Sequence, residues 1–291
     1  MSSRFPDDAC MSVERLLESG YKIVEFVSRK YDFLFGQTFN LGDEEMNAAL
    51  KVLLGHRSYR DYTDQPVSDA DLDAIVEAGR RAPTSINGQA ISLVVIRDQA
   101  RRDKIAEIAG GQPWIAKAPV FICVVMDFAK TKAALDYAGE KQVIHESVEG
   151  LVVGAVDSGI VLATLMTAAR SLGLGTVPIG GIRNNPQAMI DLLGLPALTF
   201  VLVGCVVGHF ASEPTLKPRL PVGTFRHDEA WHGAPDAAAV AAYDAELMEY
   251  WKSIGRTDGQ PWSRSTATRY RRVYYPQTGP ALAKQGFIMD K

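Results

Sequence analysis

Thr176-Val177-Pro178-Ile179-Gly180-Gly181-Ile182-Arg183-Asn184-Asn185-Pro186 is the stretch on which the fold turns. Residues 176–179 are short, apolar and mostly β-branched, which is the composition of a strand. Gly180-Gly181 then allows a tight turn whose backbone can approach a ligand with no side chain between them. Asn184-Asn185-Pro186 opens a helix over 187–193, and Gly194 ends it. Upstream, residues 151–172 form a long apolar helix closed by Gly173, and downstream 200–207 is an entirely apolar run, a strand central in its sheet.

The same alternation extends toward the N-terminus. Ser68-Asp69-Ala70-Asp71 has the spacing of a capping box, Leu72, Ile75, Val76 and Gly79 follow at helical intervals, and Pro83 stops the helix. Residues 91–96 predict a strand, 101–109 a helix halted at Gly110-Gly111, 120–126 a buried strand, and 138–147 either loop or helix. Helices alternating with strands around one core give a layered α/β or α+β domain.

We place this main domain at 46–225. Residues 1–45 are an N-terminal extension in which Ile23, Val24, Val27, Tyr31 and Leu34 share a helical face. It is too short for a core of its own and is expected to dock on the rest of the chain or on a partner subunit. Residues 226–291 are a more polar, aromatic excursion with a helix over 237–251.

The 291 residues are 47% hydrophobic and 22% charged, with net charge -3, so no bulk positive charge draws a nucleic acid. Cys10, Cys123 and Cys205 show no paired spacing, and the last two lie in apolar runs. This fits buried thiols in a reducing compartment, and we expect a cytoplasmic protein. No secretory pattern opens the chain. Residues 151–169 are apolar enough to consider for a membrane, but Asp157 interrupts them centrally. Gly154, Ala155, Gly159 and Ala163 instead suit close packing in a core or a subunit interface.

Four segments carry chemistry: His56-Arg57-Ser58-Tyr59-Arg60, residues 82–89, the glycine turn quoted above, and Lys217-Pro218-Arg219-Leu220-Pro221. A dianionic phosphate needs fixed donors, and arginine supplies a planar fork that lysine lacks. Arg57 and Arg219 are the candidates, assisted by Ser58 and Lys217. The chain has no GxGxxG, GxxxxGK, GxSxG or HExxH pattern. His227 and His232 lack a third ligand nearby in sequence, so no metal site is expected.

In this order and spacing the four segments resemble those of the nitroreductase superfamily of FMN-dependent oxidoreductases, and within it the larger, NADPH-preferring nitroreductases and flavin reductases. Gly110-Gly111-Gln112, residues 171–175 and Lys284-Gln285-Gly286-Phe287 extend the likeness. It runs from about Leu50 to the C-terminus; the first 45 residues have no counterpart in it. The resemblance implies an α+β sandwich with a central mixed sheet flanked by helices, in an interlocked homodimer with FMN at the interface.

By the same resemblance His56, Arg57 and Ser58 clasp the phosphate and ribityl chain. Arg60 stabilises negative charge on the pyrimidine side of the reduced ring. Thr84, Ser85, Asn87 and Gln89 line the ribityl and ring edge, Gln112 meets the pyrimidine edge, and Ile179, Gly180 and Gly181 bring backbone near N5. Lys217 and Arg219 form the second phosphate clamp. Residues 82–89 look more like the smaller nitroreductases than the serine-rich run common in the larger group, and Pro178 stands where an aromatic residue is common.

The activity implied is hydride transfer from NADPH or NADH, via flavin N5, to a small electrophilic acceptor such as a nitroaromatic, quinone or free flavin. It would run in two half-reactions and need no catalytic side chain of its own. The alternative is a flavin-binding storage or sensing protein of the same fold. Lys252, Arg256, Arg264, Arg269, Arg271 and Arg272 offer cations for a nicotinamide 2′-phosphate, or form a solvated basic face. Arg256 is the residue chosen among them.

Overall fold

The computed structural model describes residues 47–288. The proposed extension at 1–45 and Cys10 lie outside them. Among the described residues the chain divides into a larger compact unit, 47–217 with 268–288, and a smaller one that includes 218–267.

The larger unit begins with α1 (Ala48–Leu54) and α2 (Asp69–Arg80), the latter capped by Ser68, whose hydroxyl oxygen accepts from the Asp71 N–H as the capping box predicts. Then come β1 (Ile91–Ile96), α3 (Gln99–Ile108), α4 (Pro113–Lys117), β2 (Val120–Asp127) and α5 (Phe128–Ala138). The long α6 (Val148–Ser171), β3 (Gly175–Ile179), α7 (Pro186–Leu193) and β4 (Thr199–Gly208) follow. Strand order is β1-β2-β4-β3.

The architecture is α+β, as expected, but the sheet expected to be mixed is not: all three pairings among the described strands are antiparallel. Alternation of elements along the sequence does not encode strand direction. The β1–β2 connection doubles back at Gly110-Gly111 and the β3–β4 connection at Gly194, all three with positive φ, so each chain path re-enters the sheet from the end it left.

β2 is buried along nearly its whole length, because both faces of the sheet are covered. Phe121, Cys123 and Val125 pack with Ile105, Ile115 and Met189 of α3, α4 and α7 on one face. Ile122 and Val124 pack with Ile75 of α2 and Val161 and Leu165 of α6 on the other. Gly79 lets α2 and α6 approach, since a Cβ there would lie 2.6 Å from Leu165.

Gly204 sits diagonally across the β2–β4 ladder from Phe121, whose fully buried ring occupies the space a Cβ would need. Gly204→Ala is expected to destabilise the fold by about 2 kcal/mol through overpacking, seen as a lower urea midpoint at unchanged slope.

α6 is long and apolar enough, by length and composition, to cross a membrane, yet it is docked on α2 and the sheet. Its central Asp157 is 2% exposed, and its carboxylate accepts the Ser85 N–H at 3.1 Å. Within one chain only one face of the helix is covered. Val148, Val152 and Val156, spaced one turn apart, are each half exposed or more. Along the C-terminal half of α6 a groove of about 320 Å³ runs between α1 and α6, lined by residues such as Leu53, His56, Ala163 and Arg170.

In the smaller unit α8 (Ala237–Ser253) buries Tyr243 and Leu247. Its Asp244 carboxylate caps the start of α9 (Trp262–Tyr270) by accepting the Ser263 N–H at 2.9 Å. Back in the larger unit, α10 (Thr278–Lys284) is tied to the sheet through Gln285, whose amide donates to the carbonyls of Pro196 and Thr199 at 2.9 Å.

Candidate functional site

The His56–Arg60 segment runs beside β3. The Tyr59 N–H donates to the Thr176 carbonyl at 3.0 Å, and the Tyr59 ring lies where a Cβ on Gly175 would be. β3 carries the chain through Ile179 to Gly180-Gly181. At Gly181 a Cβ would stand 2.7 Å from the Ala109 carbonyl and would press on the Gln112 amide, which itself donates to Ala109 at 2.9 Å. Glycine therefore lets the turn lie directly against Gln112. Two residues on, Trp114 lies under the Arg60 guanidinium, 5.4 Å from its ring centroid. Arg57, Arg60, Gln112, Ile179, Gly180 and Gly181 thus belong to one continuous set of contacts.

Arg57 is oriented within this set. Its Nη1 donates to the Gly55 carbonyl at 2.8 Å and lies 3.5 Å from Glu213 Oε1. Its Nε is buried and has no hydrogen-bond partner among the described residues. An orphaned guanidinium N–H of this kind suits an anion. His56 and Ser58 flank it, half-buried.

Arg183 anchors the glycine turn. It donates to the carbonyl of Leu202, the extra residue in β4 where the register shifts opposite Val124 and Val125, and its guanidinium lies 5.1 Å from the Tyr275 ring centroid.

Thr84, Ser85, Asn87 and Gln89 form a separate cluster. Ile86, Asn87 and Gln89 all have positive φ, a strained conformation for residues other than glycine, and Ile86 is 98% exposed. The loop is held by the Ser85–Asp157 bond, by the Gln89 N–H donating to Thr84 Oγ1 at 3.1 Å, and by Lys130 Nζ donating to the Gln89 and Ile91 carbonyls. It lines a cleft of about 580 Å³ with Arg80, Arg81 and Lys130.

Within one chain this loop does not meet the Arg57 segment. The loop is tied to α6 at Asp157, whereas Arg170 near the end of α6 stacks on Tyr59 at 4.5 Å. Those two positions are roughly 20 Å apart along the axis, at about 1.5 Å per residue.

Lys217 is exposed at the last residue of the larger unit's first segment. Arg219, in the smaller unit, donates through Nη1 to the Pro218 carbonyl at 3.2 Å, and the same carbonyl accepts the Tyr243 hydroxyl at 2.9 Å. Arg256, also in the smaller unit, is engaged: Nε donates to Asp258 at 2.8 Å and the guanidinium stacks on Trp251 at 4.5 Å. Hydrogen bonding to Asp258 raises the Arg256 pKa, and the same bond lowers that of Asp258.

Sequence reasoning missed three contributors. Asp157 fixes the strained loop, Trp114 carries Arg60, and Glu213 gathers Arg57, Tyr59 and Arg170. Only Asp157 left a signal, as a charge in the middle of an apolar helix.

These features define an α+β protein with an anion-seeking arginine beside a glycine turn. Comparison with known proteins supplies the family. The profile described as Nitroreductase family matches residues 53–209, and that described as Nitroreductase family, C-terminal domain, matches 217–290. The chain belongs to the nitroreductase family. It is 47% identical over 251 residues to a Bacillus subtilis protein named FMN reductase [NAD(P)H], covering 84% of this chain and all of that one. An oxygen-insensitive NADPH nitroreductase of Salmonella typhimurium is 37% identical, covering 83% of this chain and 99% of its own length. The solved structure of NfrA2 from B. megaterium superposes with a TM-score of 0.82 at 40% identity, covering 84% of this chain and all of that one.

Proposed function

We propose that the chain is an NAD(P)H-dependent FMN oxidoreductase, which passes hydride from NADPH or NADH to a small electrophilic acceptor such as a nitroaromatic, quinone or free flavin. The carrying observation is Arg57, with its unpaired Nε–H, joined through β3 to Gly180-Gly181 and Gln112. The family relatives named as FMN reductases and NADPH nitroreductases support the same reading.

Bound FMN would supply the hydride-transfer chemistry between dihydronicotinamide and acceptor. The chain's own residues bind and orient. Arg57, assisted by His56, Ser58 and Lys217, would hold the phosphate. Arg60, kept in place on Trp114, puts positive charge where the reduced ring gathers negative charge. Gln112 offers its amide to the pyrimidine edge, and the Ile179–Gly181 backbone leaves the ring face open to both substrates in turn.

Thr84, Ser85, Asn87 and Gln89 would reach this site from a second copy of the chain. Two observations support a homodimer: the two halves of the proposed site are far apart within one chain, and the Val148–Val152–Val156 stripe is uncovered in it. The interface use of α6 replaces a membrane role. A cytoplasmic location goes with this reading, consistent with the free, buried Cys123 and Cys205.

For the dinucleotide, the ion pair with Asp258 makes Arg256 a poorer phosphate ligand than it looked in sequence. Arg269, Arg271 and Arg272 are exposed, and the segment they begin reaches Tyr275, which packs on Arg183 behind Gly180. The Arg271→Ala/Arg272→Ala double variant is expected to raise KM for NADPH about tenfold with KM for NADH unchanged, as loss of a charge-assisted contact requires. The same selective effect from Arg256→Ala instead would place the 2′-phosphate at Arg256.

Anaerobic titration of the purified yellow protein with NADPH and then NADH tests the function. Rapid bleaching of the flavin is expected. Bound flavin that neither nucleotide bleaches would favour storage or sensing without turnover.

A further inference from the structure

After β4 the chain returns across the start of the larger unit. The Thr63 N–H donates to the His209 carbonyl at 2.8 Å, Tyr62 and Phe210 form an antiparallel bridge, and the Ala211 N–H donates to the Asp61 carbonyl at 3.0 Å. This short pairing carries Glu213 back over the Arg57 segment. There a single carboxylate oxygen, Glu213 Oε1, accepts the Tyr59 hydroxyl at 2.9 Å and lies 3.5 Å from Arg57 Nη1 and 3.7 Å from Arg170 Nη2. Arg170 is itself fixed, stacked on Tyr59 at 4.5 Å and on Phe210 at 5.6 Å.

We propose that Glu213 is a positioning residue for the phosphate clamp: with the Gly55 carbonyl it occupies the Nη1 end of Arg57 and so turns the opposite Nε–Nη2 edge toward the flavin phosphate. This rests on Arg57 meeting that phosphate, as proposed above. An arginine has five N–H donors in a rigid fork, so consuming one end from behind fixes which edge remains. The Nε–H on the remaining edge is the buried donor without a partner. The carboxylate does not neutralise the site, because Arg57, Arg170 and Glu213 together retain one positive charge. Glu213 acts through Arg57 and does not itself touch the ligand.

The test compares FMN with riboflavin, which lacks the phosphate, by fluorescence titration of flavin-stripped full-length protein. Glu213→Ala is expected to weaken FMN about tenfold and leave riboflavin unchanged, because only the phosphate reads the arginine's orientation. Glu213→Gln keeps an oxygen for the Tyr59 hydroxyl and should lose less, about threefold, again with FMN alone. Equal weakening of both flavins would make Glu213 merely structural and overturn the proposal. Tighter FMN binding would also overturn it, by making Glu213 a competing anion. A parent protein that binds riboflavin as well as FMN would instead sink the phosphate reading of Arg57. A parent that prefers FMN, with both variants unchanged, would sink the role of Glu213 alone.

Discussion

Arg57→Ala is expected to purify nearly colourless and to bind added FMN on the order of 10²- to 10⁴-fold more weakly than the parent. Each hydrogen bond from a charged donor to phosphate contributes about 1.5–3 kcal/mol, and the Nε–Nη2 edge can make two. At about 1.4 kcal/mol per decade the pair accounts for that range. The fold should survive, since Glu213 stays half exposed and keeps Arg170 and the Tyr59 hydroxyl as partners. Arg57→Lys restores the charge but not the fork, and should recover only part of the affinity. Riboflavin binding should be unaffected in both variants. Flavin content by absorbance and FMN affinity by titration check these outcomes; a yellow Arg57→Ala protein with parental affinity would remove Arg57 from the clamp.

Val156→Asp is expected to yield a folded monomer without flavin. Val156 is 54% exposed in the single chain, so a carboxylate there costs the monomer little. In a dimer closed over the Val148–Val152–Val156 stripe, the same carboxylate is buried without a partner, at a cost of several kcal/mol. By two-fold symmetry the penalty is incurred twice, which raises the dissociation constant by at least about 10³-fold. The loss of flavin follows because a monomer lacks the second copy's Thr84–Gln89 loop. Light scattering and absorbance read both effects together. A dimer that persists with flavin bound would move the interface elsewhere.

Much of the fold was legible because its punctuation is local. The strand at 91–96 stands as read, and the helix ending at Gly110-Gly111 differs only by a residue or two at each end. The glycine turn, the helix opened by Asn185 and Pro186, and the stop at Gly194 are all in place. α5 has no sequence signal of its own because it begins directly after a strand, with Asp127 both ending β2 and capping the helix. It also buries only Phe128, so it has no apolar stripe to detect. The antiparallel sheet was missed because direction depends on where a connection turns back. α6 reads from sequence as a helix for a core or a subunit interface, and in one chain only one of its faces is covered.

The site was legible in its ligand-facing residues and illegible in their supports. A phosphate-seeking arginine or a glycine turn carries its chemistry in a few consecutive residues. Asp157 meets Ser85 across 72 residues and Glu213 meets Tyr59 across 154, and no local pattern encodes such pairings. Arg256 shows the converse. Its charge was visible in sequence, but Asp258, two residues on, engages it once the chain is folded.

Subunit complementation tests the central claim most directly. The Arg57→Ala chain and a Thr84→Ala/Asn87→Ala/Gln89→Ala chain are co-expressed with different tags, and the doubly tagged heterodimer is isolated alongside each homodimer. One of its two sites then pairs an intact Arg57 segment with an intact loop from the other copy. The account predicts colourless homodimers and a heterodimer carrying about one flavin per two chains. A heterodimer as colourless as both homodimers would contradict a site shared between two copies.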